Sequence, residues 1–101
     1  MESKKISLKD TKQFEGGDFN GRIYFSEKPG LELCEVTIDG PHPEKIVEIE
    51  TRIYRIIEGV GTFILDKTSY EAEPGDVFVI KKGSTYSYSG KMKLLEINVT
   101  K

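Results

Sequence analysis

The chain has 101 residues, which is enough for one domain with one hydrophobic core and too few for a second. Its 15 Lys and Arg and 17 Asp and Glu give a formal net charge of −2, and the cations are scattered, so a nucleic-acid partner is not expected. No apolar run reaches the roughly 18 residues of a membrane span, and the N-terminal residues lack the apolar region of a signal peptide. We therefore expect a cytoplasmic protein with no membrane partner.

Short runs of β-branched and aromatic residues predict strands along most of the chain. In chain order they are 23–25, 31–39, 45–57, 62–65, 76–80 and 94–100. Before them, 6–14 is the only weak helical candidate, and residues 1–17 form a possible arm that pairs with a sheet edge or a neighbouring subunit. Many short strands at this spacing are typical of an antiparallel sandwich or barrel, so the sequence predicts an all-β fold.

Turn-forming residues separate these runs. The predicted turns are 28–30, 39–43, 58–61, 65–67, 73–76, 81–83 and 89–91. The segment EGVG at 58–61 is interpreted as a tight turn between two antiparallel strands, IYRII and TFIL.

Cys34 is the only cysteine, which excludes an internal disulfide and argues against a thiolate zinc site. In a strand it shares one side with Val36 and Ile38, and this favours a buried structural thiol over a reactive one. A further set alternates as expected for barrel or interface walls and is assigned by default to the core: Leu31, Leu33, Val77, Val79, Leu95, Ile97 and Val99.

The spacing of four glycines is the strongest signal in the chain. Gly40, Gly59, Gly75 and Gly83 all fall at predicted strand junctions, where glycine is favoured because turns often need a positive φ. Residues 40–59 and 75–90 resemble the two sequence motifs of the cupin family, with all four glycines in register. The resemblance implies a cupin-type double-stranded β-helix, a jelly-roll barrel of antiparallel strands, formed by a single domain over 1–101.

The cupin resemblance also implies a place for a divalent metal, held by three histidines and a glutamate inside the barrel. In this sequence the four positions carry Ile46, Glu48, Arg52 and Tyr86. Isoleucine cannot ligate and arginine is a permanent cation, so the usual metal site, and with it a metal cofactor, is not expected. The single histidine, His42, lies between two prolines and is predicted to be a loop residue rather than a ligand.

Strand alternation along 46–56 puts one set of residues on the same side: Ile46, Glu48, Glu50, Arg52, Tyr54 and Ile56. The cupin resemblance implies that this side lines the barrel mouth, where Tyr86 and Tyr88 would join it from the facing sheet. A twist or bulge of this strand would instead turn Glu48 outward. A Glu48–Arg52 ion pair would satisfy the two buried charges. The candidate ligand-binding residues are therefore Glu48, Glu50, Arg52, Tyr54, Tyr86 and Tyr88.

Three functions remain open from the sequence. The leading hypothesis is a metal-free protein that binds a small polar or anionic ligand, such as a carbohydrate derivative, with Arg52 gripping an acidic group. The second is an enzyme of the sugar isomerase, epimerase or oxygenase type that uses atypical residues such as Glu48, Glu50 and His42; no catalytic residue is assigned. The third is a structural or regulatory module with a filled barrel. The resemblance further implies a homodimer formed through an outer sheet face.

Overall fold

The computed structural model describes residues 3–27 and 30–100, and they form seven antiparallel strands. The strands are β1 (Lys12–Gly16), β2 (Phe19–Glu27), β3 (Leu31–Ile46), β4 (Thr51–Leu65), β5 (Thr68–Ala72), β6 (Val77–Ile80) and β7 (Thr85–Val99). Within these residues the only helical segment is a 3₁₀ turn at Leu8–Asp10, so the helix predicted over 6–14 is wrong. No helix among them is long and apolar enough to cross a membrane.

The sheet runs in the order β1-β2-β3-β7-β4-β5. β5 pairs with residues 61–65 of β4, and β6 pairs with residues 52–55 of the same strand. β7 lies at the centre, because it pairs with β3 on one side and β4 on the other over almost its whole length. β1 pairs with β2 at the edge of the sheet, where residues 12–16 of the possible N-terminal arm lie; residues 1 and 2 are outside the described part. The all-β antiparallel prediction is confirmed.

The three long strands bend where the sequence predicted turns. The segments 39–43, 58–61 and 89–91 are all inside continuous strands, so those three turn predictions are wrong. Gly90 of β7 pairs with Gly40 on one side and Gly61 on the other. At Gly59 φ is +84°, and an added Cβ would lie 1.9 Å from the carbonyl oxygen of Lys91. Glycine therefore serves here to bend and closely pack paired strands rather than to reverse the chain.

Chain reversals occur at the other predicted turns. Asp66 and Lys67, both with positive φ, join β4 to β5, and Gly75 and Gly83 occupy the turns on either side of β6. The predicted turn 28–30 includes Lys28 and Pro29, which lie outside the described residues.

The predicted strand 45–57 is interrupted at residues 47–50. Val47 is buried and forms two backbone hydrogen bonds with the turn before β7. Its N–H donates to the carbonyl of Ser84 at 3.0 Å, and its carbonyl accepts from the N–H of Gly83 at 2.7 Å. Because the alternation is reset here, Ile46 is 54% exposed and Glu48 is also exposed. The predicted interior face is therefore correct only from β4 onward.

The core is aromatic at its centre. Four rings from four strands stack in a row: Phe78 on Phe63 at 4.2 Å between centroids, Phe63 on Tyr88 at 4.8 Å, and Tyr88 on His42 at 4.5 Å. The planes of adjacent rings are inclined to each other by 7–17°, so the four rings are close to parallel. Cys34 is buried beside this core, as predicted.

The alternating set assigned to barrel or interface walls faces outward. Val77 and Val79 are 54% and 51% exposed, whereas Phe78 and Ile80, which alternate with them along β6, are buried. In β7, Leu95, Ile97 and Val99 are half-buried, while Asn98 is 5% exposed and belongs to the interior. A role of these residues in the core is excluded; a role in an interface stays a prediction.

Candidate functional site

Arg52 is the centre of a hydrogen-bonded network inside the barrel. Its Nε donates to Asn98 Oδ1 at 2.7 Å, its Nη1 donates to the hydroxyls of Tyr86 at 2.5 Å and Tyr54 at 3.5 Å, and its Nη2 donates to Glu50 Oε1 at 3.1 Å. Burial alone would disfavour the charged form, but the neighbouring Tyr54 and Glu96 hold the pKa of Arg52 above its ordinary value. The guanidinium is thus a fixed cation whose donors are largely occupied by protein oxygens.

The two phenols of this network are fully inside the barrel. Tyr54 and Tyr86 are 0% and 1% exposed, and their hydroxyl oxygens are 3.4 Å apart. Burial, reinforced by the negative charge of Glu96, raises the pKa of Tyr54 well above its ordinary value. Tyr54 therefore stays a neutral phenol at physiological pH.

The network leaves no place for the divalent metal that the cupin resemblance implies. Of the four ligand positions, Ile46 and Glu48 are exposed, Arg52 is a cation, and the Tyr86 hydroxyl accepts a hydrogen bond from Arg52. These residues do not fit a metal ion, because the guanidinium of Arg52 at the glutamate position repels it. The predicted Glu48–Arg52 pair does not form either, since Arg52 pairs with Glu50.

Asn98 connects Arg52 to two carboxylates that the sequence analysis did not select. Its side-chain amide donates to Glu32 Oε1 and to Glu96 Oε2, both at 2.9 Å, while its oxygen accepts from Arg52. Asn98 is directly opposite Glu32 on β3 and Arg52 on β4. In the run LLEINVT, Glu96 and Asn98 alternate with apolar residues, so the sequence could have predicted that these two share one face. The apolar residues of that run were assigned to the interior instead.

A cavity of about 220 Å³ lies beside this network. Its walls come from the β1–β2 hairpin and from β3, β4 and β7, and its lining residues are Phe14, Phe19, Ile23, Glu32, Cys34, Val36, His42, Lys45, Arg52, Tyr88 and Glu96. Carboxylates, cations, an imidazole and a thiol therefore share the walls with aromatic rings. This is the composition of a small-molecule site rather than of a solid core.

His42 belongs to this cavity, so its prediction as a loop residue is wrong. It lies in β3, is 7% exposed, and stacks on Tyr88 with Phe19 at 5.3 Å on another side. Its Nδ1 is buried without a hydrogen-bond partner. Burial, together with the positive charges of Lys45 and Arg52, lowers the pKa of His42, so the ring is neutral at physiological pH.

Cys34 contributes its thiol to the same wall. Burial, followed by the negative charges of Glu96 and Glu32, raises the pKa of Cys34 to about 12. In the absence of a cation the group is therefore a protonated thiol and a poor nucleophile, which agrees with the expectation of an unreactive cysteine.

The predicted ligand-binding residues divide into three groups in the structure. Arg52 and Tyr88 line the cavity. Glu50, Tyr54 and Tyr86 hydrogen-bond to Arg52 or to each other behind the cavity wall. Glu48 is exposed and outside the network, so its predicted location in the interior is wrong.

Comparisons with known proteins reveal structural but not sequence relatives. No family model and no curated protein matches the sequence. Among solved structures, the nucleoside dehydratase Pac13 superposes with a TM-score of 0.88 at 17% identity, covering 98% of this chain and 83% of Pac13. Forms of Streptomyces Pac13 with a substituted histidine or tyrosine, each solved with uridine, give TM-scores of 0.88–0.89.

Two further structures show the same architecture. The cupin domain of Schizosaccharomyces pombe Cnp3 gives a TM-score of 0.82 at 20% identity, over 94% of this chain and 72% of that one. KdgF from a Halomonas species gives 0.86 at 14% identity, over 99% and 96%. At these identities the likeness concerns the fold, and it agrees with the glycine spacing and the strand order: the chain has the cupin fold.

Proposed function

We propose that the protein binds a small molecule rich in hydroxyl groups, a sugar or the sugar part of a nucleoside, in the 220 Å³ cavity. The observation that carries this proposal is the lining itself, in which two carboxylates and a histidine with an unpartnered nitrogen stand beside aromatic rings. Carboxylates accept charge-assisted hydrogen bonds from hydroxyl groups, and aromatic faces pack on the apolar face of a sugar or on a base.

The state of Arg52 favours a neutral polar ligand over an anionic one. Bidentate recognition of a carboxylate or phosphate needs two parallel guanidinium N–H groups. In Arg52 these groups already donate to Asn98, Tyr86 and Glu50. The negative charges of Glu32 and Glu96 balance the positive charges of Lys45 and Arg52 in the cavity lining, so the wall has no excess of positive charge to attract an anion.

The size of the cavity supports a ligand of roughly one sugar ring. Drug-sized ligands occupy pockets of about 300–1,000 Å³, and this one is below that range. Pac13, which shares the fold, acts on a nucleoside and was solved with uridine, a molecule that combines a sugar with a base. The forms of Pac13 solved with uridine carry a substituted histidine or tyrosine, and the cavity of the present chain is lined by a histidine and a tyrosine.

Calorimetry and ligand-observed NMR with protein treated with a chelator would test this proposal. The panel contains uridine, ribose, a hexose and a hexuronic acid. We expect a neutral member to bind and Glu96→Gln to weaken it about tenfold or more, since a hydrogen bond to a charged group contributes about 1.5–3 kcal/mol. Glu71→Gln, on an exposed position of β5, is the matched control and should leave the affinity unchanged. Failure of every neutral compound, or selective binding of the uronic acid, would refute the proposal.

A second candidate function, proton-transfer catalysis on the bound sugar, is favoured by His42. A neutral, buried imidazole with an unpartnered nitrogen can serve as a general base on a C–H bond next to a carbonyl group. The test is incubation with carbonyl sugars in D₂O, followed by NMR. Loss of a substrate C–H signal in the wild type and not in His42→Gln would support catalysis; equal signals in both would exclude it for those compounds.

A further inference from the structure

One wall of the cavity brings together three metal-ligating side chains that are not those of the cupin motifs. Glu32 and Cys34 are two residues apart on the same face of β3, and Glu96 of β7 is directly opposite Cys34. Their ligand atoms all lie within 4.8 Å of one another. Because β3 and β7 are paired along nearly their whole length, the backbone that carries the three groups is fixed.

We propose that Glu32, Cys34 and Glu96 form a binding site for a thiophilic divalent cation, Zn²⁺ above all, with its fourth coordination position open to the cavity. Zinc accepts both thiolate and carboxylate ligands, and three protein ligands with one open position are the composition of a catalytic zinc site. The ion would reduce the repulsion between the two neighbouring carboxylates and would displace the proton of the Cys34 thiol when it binds. Small movements of the two flexible carboxylate side chains would draw the ligands around it.

His42 provides independent support for a ligand at this wall. It lines the same cavity from further along β3, is 7% exposed, and has a buried ring nitrogen without a hydrogen-bond partner. Leaving a buried polar atom unsatisfied costs about 1–3 kcal/mol, so such an atom indicates a partner that the protein chain does not supply. His42 is not one of the three residues whose ligand atoms lie within 4.8 Å of one another, so it supports a ligand in the cavity without being counted as a metal ligand.

The hydrogen bonds around the carboxylates match those that orient metal ligands. The amide of Asn98 donates to both Glu32 and Glu96 and so holds the two side chains next to each other. Within residues 3–27 and 30–100, no Lys or Arg lies within ion-pair distance of Glu96, and the guanidinium of Arg52 is directed to Glu50 instead. Outer partners of this kind fix the orientation of metal ligands and raise affinity.

The experiment is a titration of chelator-treated protein with Zn²⁺ by calorimetry and with Co²⁺ by absorption spectroscopy, both without sugar. Since Cys34 is the only cysteine, a thiolate-to-cobalt charge-transfer band can arise from no other residue. We expect one equivalent of metal, a charge-transfer band, loss of that band in Cys34→Ser, and affinity lowered at least about tenfold in Glu96→Gln, because losses even of outer partners cost about 10–100-fold. The control Glu71→Gln should bind as the wild type does.

The outcomes separate this inference from the sugar-binding proposal. Absence of the charge-transfer band, or metal binding that neither Cys34→Ser nor Glu96→Gln changes, would overturn the metal site and leave sugar binding untouched. Sugar affinity is measured on metal-free wild-type protein, so its outcome does not depend on the metal site. If Cys34→Ser fails to fold, Glu96→Gln alone decides, with calorimetry as the measurement.

Discussion

Arg52→Met should destabilise the fold by about 2–3 kcal/mol. The variant keeps an aliphatic side chain but removes the donor to Asn98, which is 5% exposed, and an unsatisfied buried acceptor costs about 1–3 kcal/mol. The Tyr86 hydroxyl loses one partner and keeps Tyr54, a loss of about 0.5–1.5 kcal/mol. Glu50 contributes little, because its side chain is 21% exposed and water can replace the guanidinium. The variant also no longer has the cost of burying a charged guanidinium, and this gain offsets part of the lost stability.

The assay is urea denaturation, with the midpoint and the slope fitted separately. Arg55→Met is the matched control: Arg55 is on the same strand, its side chain is exposed, and we expect a change within about 0.5 kcal/mol. The loss in the double variant Arg52→Met with Asn98→Leu should be smaller than the sum of the two single losses, because the Arg52–Asn98 bond is counted in both, while Asn98→Leu also removes the donors to Glu32 and Glu96. Equal stability of the Arg52 and Arg55 variants would refute the view that this network stabilises the barrel.

Three further predictions concern His42, the strand bends and the outer face. The pKa of His42 in the folded protein is lowered from 6.5, so the unfolded chain binds a proton more readily, and the free energy of unfolding decreases as the pH falls below 6.5. Denaturation midpoints should therefore decline less below pH 6.5 in His42→Gln than in the wild type. Gly59→Ala should unfold at a much lower temperature than Gly17→Ala, because only at Gly59 would the new Cβ meet backbone, and equal melting temperatures would contradict the bend. If the outer face forms a homodimer, light scattering should show dimers for wild type and for Leu8→Asp, and monomers for Val79→Asp; monomeric wild type would exclude it.

Much of the fold could be predicted from the sequence because glycine positions and strand composition are local signals. The four glycines in register indicated the cupin fold, although Gly40 and Gly59 bend strands instead of ending them. Sequence alone does not distinguish these cases, since a positive φ is needed in both. The strands β1 and β5 were missed because Lys12–Gly16 and Thr68–Ala72 are mostly polar and exposed, so their apolar periodicity is weak.

The candidate site was predicted in part, and its errors have one physical origin. Arg52 and Tyr54 share one face because alternation holds along β4, and the hydroxyl of Tyr86 reaches them from the part of β7 that pairs with Lys45 and Leu65. Alternation fails wherever a strand is interrupted, and the break at 47–50 moved Glu48 to the surface. A one-residue shift of this kind exchanges the two faces of a strand.

The contacts of Arg52 explain why the residues at the metal-ligand positions of the cupin motifs do not fit a metal ion in this chain. A guanidinium bound to Asn98, Tyr86 and Glu50 puts a permanent cation at one of the family's ligand positions. Asn98 then extends the hydrogen bonds to Glu32 and Glu96, which together with Cys34 concentrate acidic groups on the neighbouring wall. A cation at the motif position and a group of acids beside it are complementary, so a cavity in this barrel does not require the histidines of the motif. The acidic groups on its wall come from β3 and β7 and lie outside the two motifs.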